Sequence, residues 1–325
     1  MSQTMKAVIA EAGQPLRVGD APRPELGDNE VLVKVAAAGL NRADLVQRAG
    51  HYPPPPGASD IMGLECAGTI EALGPSVTGW KVGDKVCALL AGGGYAEYCA
   101  VDAGSLFPVP ENLTLLEAAA LPEAMMTVYA NIFMRCAFKA GESVLIHGGT
   151  SGIGSMAIQM VKAAGATDIW TTAGSDEKCE AATGFGATRA INYKTEDYEE
   201  IVRAGGGADV TLDMVGGDYV QKNISAAKVN GRICNIAYLN GPAVELNLMP
   251  LMLKRLILTG TTLRARPVAE KAEIREAVQT QFWPLVASGE IKPVIDEVYP
   301  ITDAESAQAA MAKGGHIGKI LLDVT

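Results

Sequence analysis

The stretch that most constrains this chain is Ser143–Gly154, SVLIHGGTSGIG, which runs on into SMAIQMVKAAGA. Ser143, Val144, Leu145 and Ile146 form a short apolar run, the pattern of a buried parallel strand. Gly148, Gly149, Gly152 and Gly154 then crowd a tight turn. After it Met156, Ala157, Met160, Val161 and Ala164 recur at helical spacing, and Gly165 supplies the stop. Strand, glycine turn and helix in that order open a βαβ unit of the dinucleotide-binding kind. Glycines let the main chain approach a pyrophosphate, and the helix N-terminus offers free amides and the positive end of its dipole.

The alternation continues downstream. Strands are expected at Ser143–His147, Asp168–Thr172, Arg189–Asn192, Asp209–Asp213 and Arg232–Ile236, with helices near Ser155–Ala164, Asp176–Thr183, Thr195–Arg203 and Tyr219–Ala226 between them. A last strand, Leu256–Thr262, completes six, enough for an α/β fold with a doubly wound parallel sheet. Upstream, from Lys6 to about Pro110, the runs Ala7–Ala10, Glu30–Ala36, Glu65–Leu73, Lys85–Leu89 and Ala96–Val101 each end near Gly, Pro or Asp. Strands this short and evenly spaced point to a barrel-like all-β domain. Within it His51-Tyr-Pro-Pro-Pro-Pro-Gly57 is a stiff loop, suited to the rim of a cleft.

Thr114–Glu117 is a capping box for a short helix, and a second helix is expected from Glu123 to about Arg135. Beyond Thr262 an amphipathic helix over Val268–Ala287 precedes a return to strand and helix, closing on GGHIGKILLDV. This tail does not extend the six-stranded sheet, so it is expected to rejoin the first domain. The division is then 1–122 with 264–325 against 123–263, with ligand in the cleft between them at the carboxyl ends of the strands.

Composition agrees with two soluble domains: 325 residues, 48% hydrophobic and 20% charged. A net charge of −10 argues against a general nucleic-acid or membrane-surface binder, because phosphates and anionic lipids repel an acidic chain. The six cysteines are scattered without a C-x-x-C pair, which is neither a disulfide framework nor a thiolate metal cluster. The first residues, MSQTMKAVIAEAGQPL, lack the apolar core of a signal peptide, and no segment has the length and purity of a membrane span. The expected location is the cytoplasm.

In these residues the chain resembles the medium-chain dehydrogenase/reductase superfamily, with its GroES-like catalytic domain and Rossmann domain. Within it, the chain is similar to the zinc-free, zeta-crystallin-like NAD(P)H:quinone oxidoreductases. The likeness covers essentially the whole chain and is densest in LNRADLVQRAGHYPPPPGASDIMGLECAGTIEALG, VLIHGGTSGIGSMAIQ, TTAGSDEK and HIGKILL. Zinc alcohol dehydrogenases of the superfamily place a Cys near Asn41 and a His at the position of Leu64, neither of which can be replaced as a ligand by the residues here. The four-cysteine structural zinc loop is replaced by ALLAGGGYAEYCA, and the histidines are His51, His147 and His316, so no metal is expected.

The phosphate turn implied by the resemblance is Gly149, Thr150, Ser151, Gly152, Ile153 and Gly154. Where many relatives carry Gly in the middle of this motif, the chain has Ser151, either facing a hydroxyl to the nicotinamide or capping the helix. NAD-specific sites place an acidic residue roughly 20 residues past the turn, at the end of the second strand. Here that strand ends in Ala173, Gly174 and Ser175, with Lys178 one turn into the next helix. In related reductases these positions, with a Tyr matching Tyr193, hold the 2′-phosphate, so NADPH is the expected cofactor. The bland alternative leaves Ser175 as an N-cap and Lys178 as a surface lysine.

Hydride transfer needs placement and exclusion of water more than a triad. By resemblance Asn41 and Tyr52 are the substrate-side residues that could hydrogen-bond a quinone oxygen, against readings as a turn-stabilising Asn and a rim aromatic. The resemblance also brings Thr127 toward the nicotinamide, Ala237, Tyr238 and Leu239 toward its carboxamide, and Gly318 and Lys319 back to the cofactor. Asp213 reads as structural or functional, and His147 as a satisfied core histidine.

The implied function is NADPH-dependent reduction of a quinone without metal or flavin. One alternative keeps the fold and reduces α,β-unsaturated carbonyls. An enoyl thioester would need a basic groove on the substrate side, for which Arg42 and Arg48 are the candidates. A second alternative is a structural or RNA-binding role of the same fold, which the acidic charge disfavours. The apolar edge strand Leu256–Thr262 implies a homodimer.

Overall fold

Residues 4–325 are described by a computed structural model, in which they form two units, 4–126 with 263–325, and 127–262. In the first unit β1 (Thr4–Ile9) and β2 (Arg17–Pro22) form an antiparallel pair. The long strand β3 (Glu30–Gly39) is flanked by β4 (Glu65–Leu73) and β6 (Tyr98–Asp102), while β5 (Lys85–Leu89) joins β4 to β7 (Leu106–Pro108), all antiparallel. Alternation explains β3: Val31, Val33 and Val35 enter one core with Ile70, Val86 and Leu106. Two register shifts against β4 bend the strand, and Ala38 and Leu40 then enter a second core. Helix α1 (Arg42–Arg48) follows directly.

Thr114 caps α2 (Leu115–Ala118) through the expected box, with Glu117 N donating to Thr114 Oγ1 at 3.2 Å and Thr114 N to Glu117 Oε2 at 2.8 Å. Helix α3 (Pro122–Val128) does not continue as a regular helix to Arg135. It widens into a π-helical stretch over Tyr129–Arg135. The buried Asn131 side chain donates to Thr127 O at 2.7 Å, so it occupies the i−4 carbonyl that its own amide would use in an α-helix.

The second unit alternates β8 (Val144–His147), α4 (Gly152–Ala163), β9 (Ile169–Ala173), α5 (Asp176–Phe185), β10 (Arg189–Asn192), α6 (Tyr198–Ala204), β11 (Ala208–Asp213), α7 (Tyr219–Ala226), β12 (Ala227–Asn235), α8 (Met249–Leu253) and β13 (Ile257–Gly260). The strands are parallel in the order β10-β9-β8-β11-β12-β13, so the winding reverses between β8 and β11. That is the doubly wound dinucleotide-binding topology, with its ligand crevice at the reversal. Helix α6 starts at Tyr198 rather than Thr195, because the Asp197 carboxylate accepts from Glu199 N at 2.9 Å while Thr195 N is held in a turn by Asn192 O.

After β13 the chain returns to the first unit. The single helix expected over Val268–Ala287 is instead α9 (Val268–Gln281) and α10 (Trp283–Ser288). Pro284 has no N–H to continue the ladder, Phe282 leaves helical geometry at φ −117°, and Trp283 stacks on Phe107 at 4.4 Å. Strand β14 (Ile295–Pro300), α11 (Ala304–Lys313) and β15 (Lys319–Asp323) close the chain, with β15 antiparallel to β3 in the register Leu322↔Ala38.

Candidate active site

In the second unit the glycine turn connects β8 to α4 as a tightly folded arch. Gly148 is left-handed at φ +69°, Gly149 N donates to Thr172 O at 3.0 Å, and a Cβ on Gly154 would lie 2.1 Å from Gly148 O. The buried Thr150 and the half-buried Gly152 and Ile153 complete the approach to the helix N-terminus. Ser151 resolves in favour of the cap: its Oγ accepts from Gly154 N at 2.9 Å and donates to Met214 Sδ at 3.7 Å. Its main chain, not its hydroxyl, is therefore left for a ligand, and α4 starts three residues earlier than the sequence suggests.

Gly174, Ser175, Lys178 and Tyr193 come together beyond the ends of β9 and β10. The exposed Tyr193 lays its hydroxyl over Gly174, where a Cβ would meet it at 2.7 Å. Ser175 caps α5, its Oγ accepting from Lys178 N at 3.3 Å. The Asp176 carboxylate accepts from Asn192 Nδ2 at 2.7 Å, which ties the start of α5 to the end of β10. Glycine turn, capped helix and glycine-floored shelf fit the diphosphate and ribose of a nicotinamide dinucleotide. Ala237, Tyr238 and Leu239 follow β12 as a turn with Tyr238 and Leu239 exposed, and Thr127 is buried in the last turn of α3.

Two polar residues near this turn are structural. His147 is fully buried, with Nδ1 against Thr172 Oγ1 at 3.0 Å and Nε2 against Asn223 Oδ1 at 2.8 Å, and burial pushes its pKa down. Asp213 accepts from Val215 N, Gly216 N, Asn223 Nδ2 and Asn235 Nδ2, so its carboxylate serves the loop after β11.

In the first unit, Asn41 sits between β3 and α1 at the centre of a buried polar cluster. Its Nδ2 donates to Glu65 Oε1 at 3.0 Å and to Gly39 O at 3.4 Å, while its Oδ1 accepts from Lys319 Nζ at 2.8 Å. Both amide hydrogens point to acceptors within the first unit, where the resemblance implies a donor to substrate. Lys319 also differs from expectation. Its ammonium is buried, donates to Leu40 O at 2.9 Å and pairs with Glu65, which spends all three hydrogens inside the first unit. Gly318 packs on Val294, whose carbonyl a Cβ would meet at 2.3 Å.

Glu65, which the sequence reading passed over, anchors the cluster: its Oε2 accepts from Glu123 N at the start of α3, at 2.9 Å. The available signal was a carboxylate in the apolar run GLECAGTI, since a buried charge requires a partner. Asp44 is buried beside it, accepting on Oδ2 from Asn41 N at 2.8 Å and Tyr95 Oη at 2.7 Å, while Oδ1 has no partner. Burial pushes its pKa up to about 6 against these bonds and the Lys319 charge. Leu64 is core, and among the described residues no group of three or more His, Cys, Asp or Glu could hold a metal ion.

Tyr52 is half-buried at the start of the proline run, and its hydroxyl has no hydrogen-bond partner among the described residues. Burial, then the Glu123 charge, raises its pKa, opposed by Arg264. Arg264 was also missed from sequence. It fixes Tyr52 by donating Nη1 to Tyr52 O at 3.0 Å with its guanidinium 5.3 Å from the ring centre.

Residues 27–111 match the family model of the alcohol dehydrogenase GroES-like domain, and residues 152–281 that of the zinc-binding dehydrogenase. Over 98% of its length the chain is 31% identical to the human quinone oxidoreductase, of which it covers 97%. The chain belongs to the medium-chain dehydrogenase/reductase superfamily. It is also 32% identical over 92% of its length to the zebrafish synaptic vesicle membrane protein VAT-1 homolog, and spans 65% of that protein's length. Among solved structures, the quinone oxidoreductase from Coxiella burnetii superposes with a TM-score of 0.81 at 26% identity, covering 99% of this chain and 100% of that one. The superfamily is one of oxidoreductases with a nicotinamide cofactor and small-molecule substrates. No helix among the described residues is long and apolar enough to cross a membrane.

Proposed function

We propose that this chain is an NADPH-dependent quinone oxidoreductase that works without metal or flavin. The observation that carries this reading is the Asn41–Glu65–Lys319 cluster. Where zinc members of the superfamily hold their metal, this chain has an amide already saturated by protein, a leucine in the core, and a lysine ammonium paired with the neighbouring carboxylate. A divalent cation beside that ammonium would meet like charge and find no thiolate or imidazole. In the zinc members such a cation polarises the carbonyl of a simple ketone or aldehyde. A quinone does not, because the charge it gains spreads into an aromatic ring.

NADPH supplies the hydride when bound. Gly149 to Gly154 would cradle its diphosphate, and Gly174, Ser175, Lys178 and Tyr193 its 2′-phosphate, with no carboxylate at the end of β9 to favour a free ribose. Thr127 and the turn Ala237–Leu239 remain the candidates for the nicotinamide end. Tyr52 is the residue we assign to donate a hydrogen bond to the reduced oxygen. Its raised pKa keeps it protonated at neutral pH, and its hydroxyl is not committed elsewhere. Asn41 acts as a positioning residue that fixes the start of α1.

A homodimer through β13 is part of the proposal. That strand has one neighbour in the sheet, and the segment preceding it exposes Leu248 and, on α8, Met249, Met252 and Leu253.

The test is initial-rate oxidation of NADPH and NADH with ortho- and para-quinones and a simple alkenal. Quinone turnover with NADPH well above NADH is the expected result. Turnover of the alkenal alone would move the substrate to α,β-unsaturated carbonyls. Cofactor binding with no oxidation of any acceptor would reject the enzymatic reading.

A further inference from the structure

A cavity of about 720 Å³ opens within the first unit, walled by the proline loop at Pro55 and Pro56, by the Leu89–Gly93 segment and by the start of α9. Four cations line it, Arg23, Arg264, Arg266 and Lys271, and two of them are more than nine-tenths buried: Arg264 is 4% exposed and Lys271 7%. The Lys271 ammonium makes no hydrogen bond or ion pair with any described residue. Arg264 spends Nε on Ala91 O at 2.7 Å and Nη1 on Tyr52 O, which leaves Nη2 buried with no partner.

The carboxylates on the same walls, Glu25, Glu30 and Asp102, make no hydrogen bond or ion pair with Arg264 or Lys271. Asp102 accepts from Asn29 Nδ2 and Gly104 N, and Glu30 from Gly27 N. Burial pulls the Lys271 pKa down, with Arg264 acting in the same direction and Glu123 and Asp102 opposing it. Burying a charge without a partner is costly, and two like charges on one wall compound that cost. An anion in the cavity would remove it.

We infer that this cavity is an anion-recognition subsite, in which Arg264 Nη2 and Lys271 Nζ take a carboxylate, sulfonate or phosphate group carried by the substrate. Arg264 makes the link to the reaction, since the same guanidinium holds Tyr52. This assignment rests on the reading of Tyr52 as a substrate-side residue. It also supplies the basic groove that the sequence did not reveal, where Arg42 and Arg48 were the candidates. Arg48 is tied instead to Glu305 at 2.8 Å, and the two buried cations of the cavity come from the segment after β13.

The experiment compares 1,2-naphthoquinone with 1,2-naphthoquinone-4-sulfonate in the wild type, Lys271→Met and Lys271→Arg. The ratio of kcat/KM for the sulfonate to that for the neutral quinone is expected to fall about tenfold in Lys271→Met and to recover in Lys271→Arg. In parallel, calorimetry measures binding of naphthalene-2-sulfonate, which cannot be reduced, and it should weaken by a similar factor in Lys271→Met. An unchanged ratio with unchanged sulfonate binding overturns the inference, as does failure of the wild type to bind the sulfonate. If no quinone is reduced but sulfonate binding still depends on Lys271, the subsite stands and the quinone reading falls.

Discussion

Lys319 Nζ lies 2.8 Å from Asn41 Oδ1, a contact between the first residue of β15 and the N-cap residue of α1, 278 positions apart in the chain. The same ammonium pairs with Glu65, which is fully buried, so three chain segments meet on one charge. Removing one partner of a buried ion pair leaves the other charged and desolvated. Lys319→Met should therefore destabilise the protein by about 3–5 kcal/mol. Glu65→Gln in the same chain should recover much of the loss, because an amide can still accept from Glu123 N without carrying a charge. Urea denaturation of the two single variants and the double variant measures both, and additive losses would rule out the coupling.

Asp44 makes stability depend on pH with a definite sign. Its folded pKa of about 6 lies above the usual 3.8, so between those values the native protein holds a proton that the unfolded chain has released. Stability conferred by that proton is full below about pH 4 and lost as pH rises through 6. At neutral pH the ionised carboxylate costs up to about 3 kcal/mol. The unpartnered Oδ1 is where the proton would sit. Asp44→Asn should flatten this part of the profile, read as the change in denaturation midpoint between pH 4 and pH 7 relative to wild type.

How much of this was legible follows from range. All six strands of the doubly wound sheet could be read because each is a local apolar run, and β4 and β5 have the bounds that the sequence suggests. Strand β2, RVGDAP, lacks an apolar alternation, and β7 spans three residues, so neither carries a local signal. The break before α10 was legible in Pro284 and passed over. The Asn41 cluster was not legible at all. It depends on the register of β15 against β3, which sets Lys319 beside Leu40 and Asn41, and no short-range pattern encodes that pairing. The resemblance named Lys319 for the cofactor, and the structure shows its contacts within the chain, to Leu40 O, Asn41 and Glu65.

Cofactor preference should reside in the shelf beyond β9. Lys178 lies one turn into α5, with Tyr193 and Gly174 on the same shelf. A charge-assisted bond to a phosphate is worth about 1.5–3 kcal/mol. Lys178→Ala should thus lower kcat/KM for NADPH about tenfold or more and change that for NADH by less than about twofold. Steady-state kinetics with both cofactors and one quinone decides it. An equal fall with both cofactors would assign Lys178 to the fold of α5 instead.

The exposed edge of the parallel sheet makes the last prediction. Strand β13 pairs with β12 on one side only, its Ile257 is 54% exposed, and Met252 and Leu253 of α8 stand beside it at 62% and 65%. A flat apolar edge of this kind is a template for a second copy, whose own β13 would extend the sheet. Light scattering should give twice the 33.9 kDa of one chain. Ile257→Lys with Met252→Asp places charges on that edge without touching the core, because both side chains face solvent in the single chain. The double variant should run as a folded monomer with wild-type far-UV circular dichroism. A wild-type protein that is already monomeric at micromolar concentration would reject the dimer, and the apolar face of α8 would then require another partner.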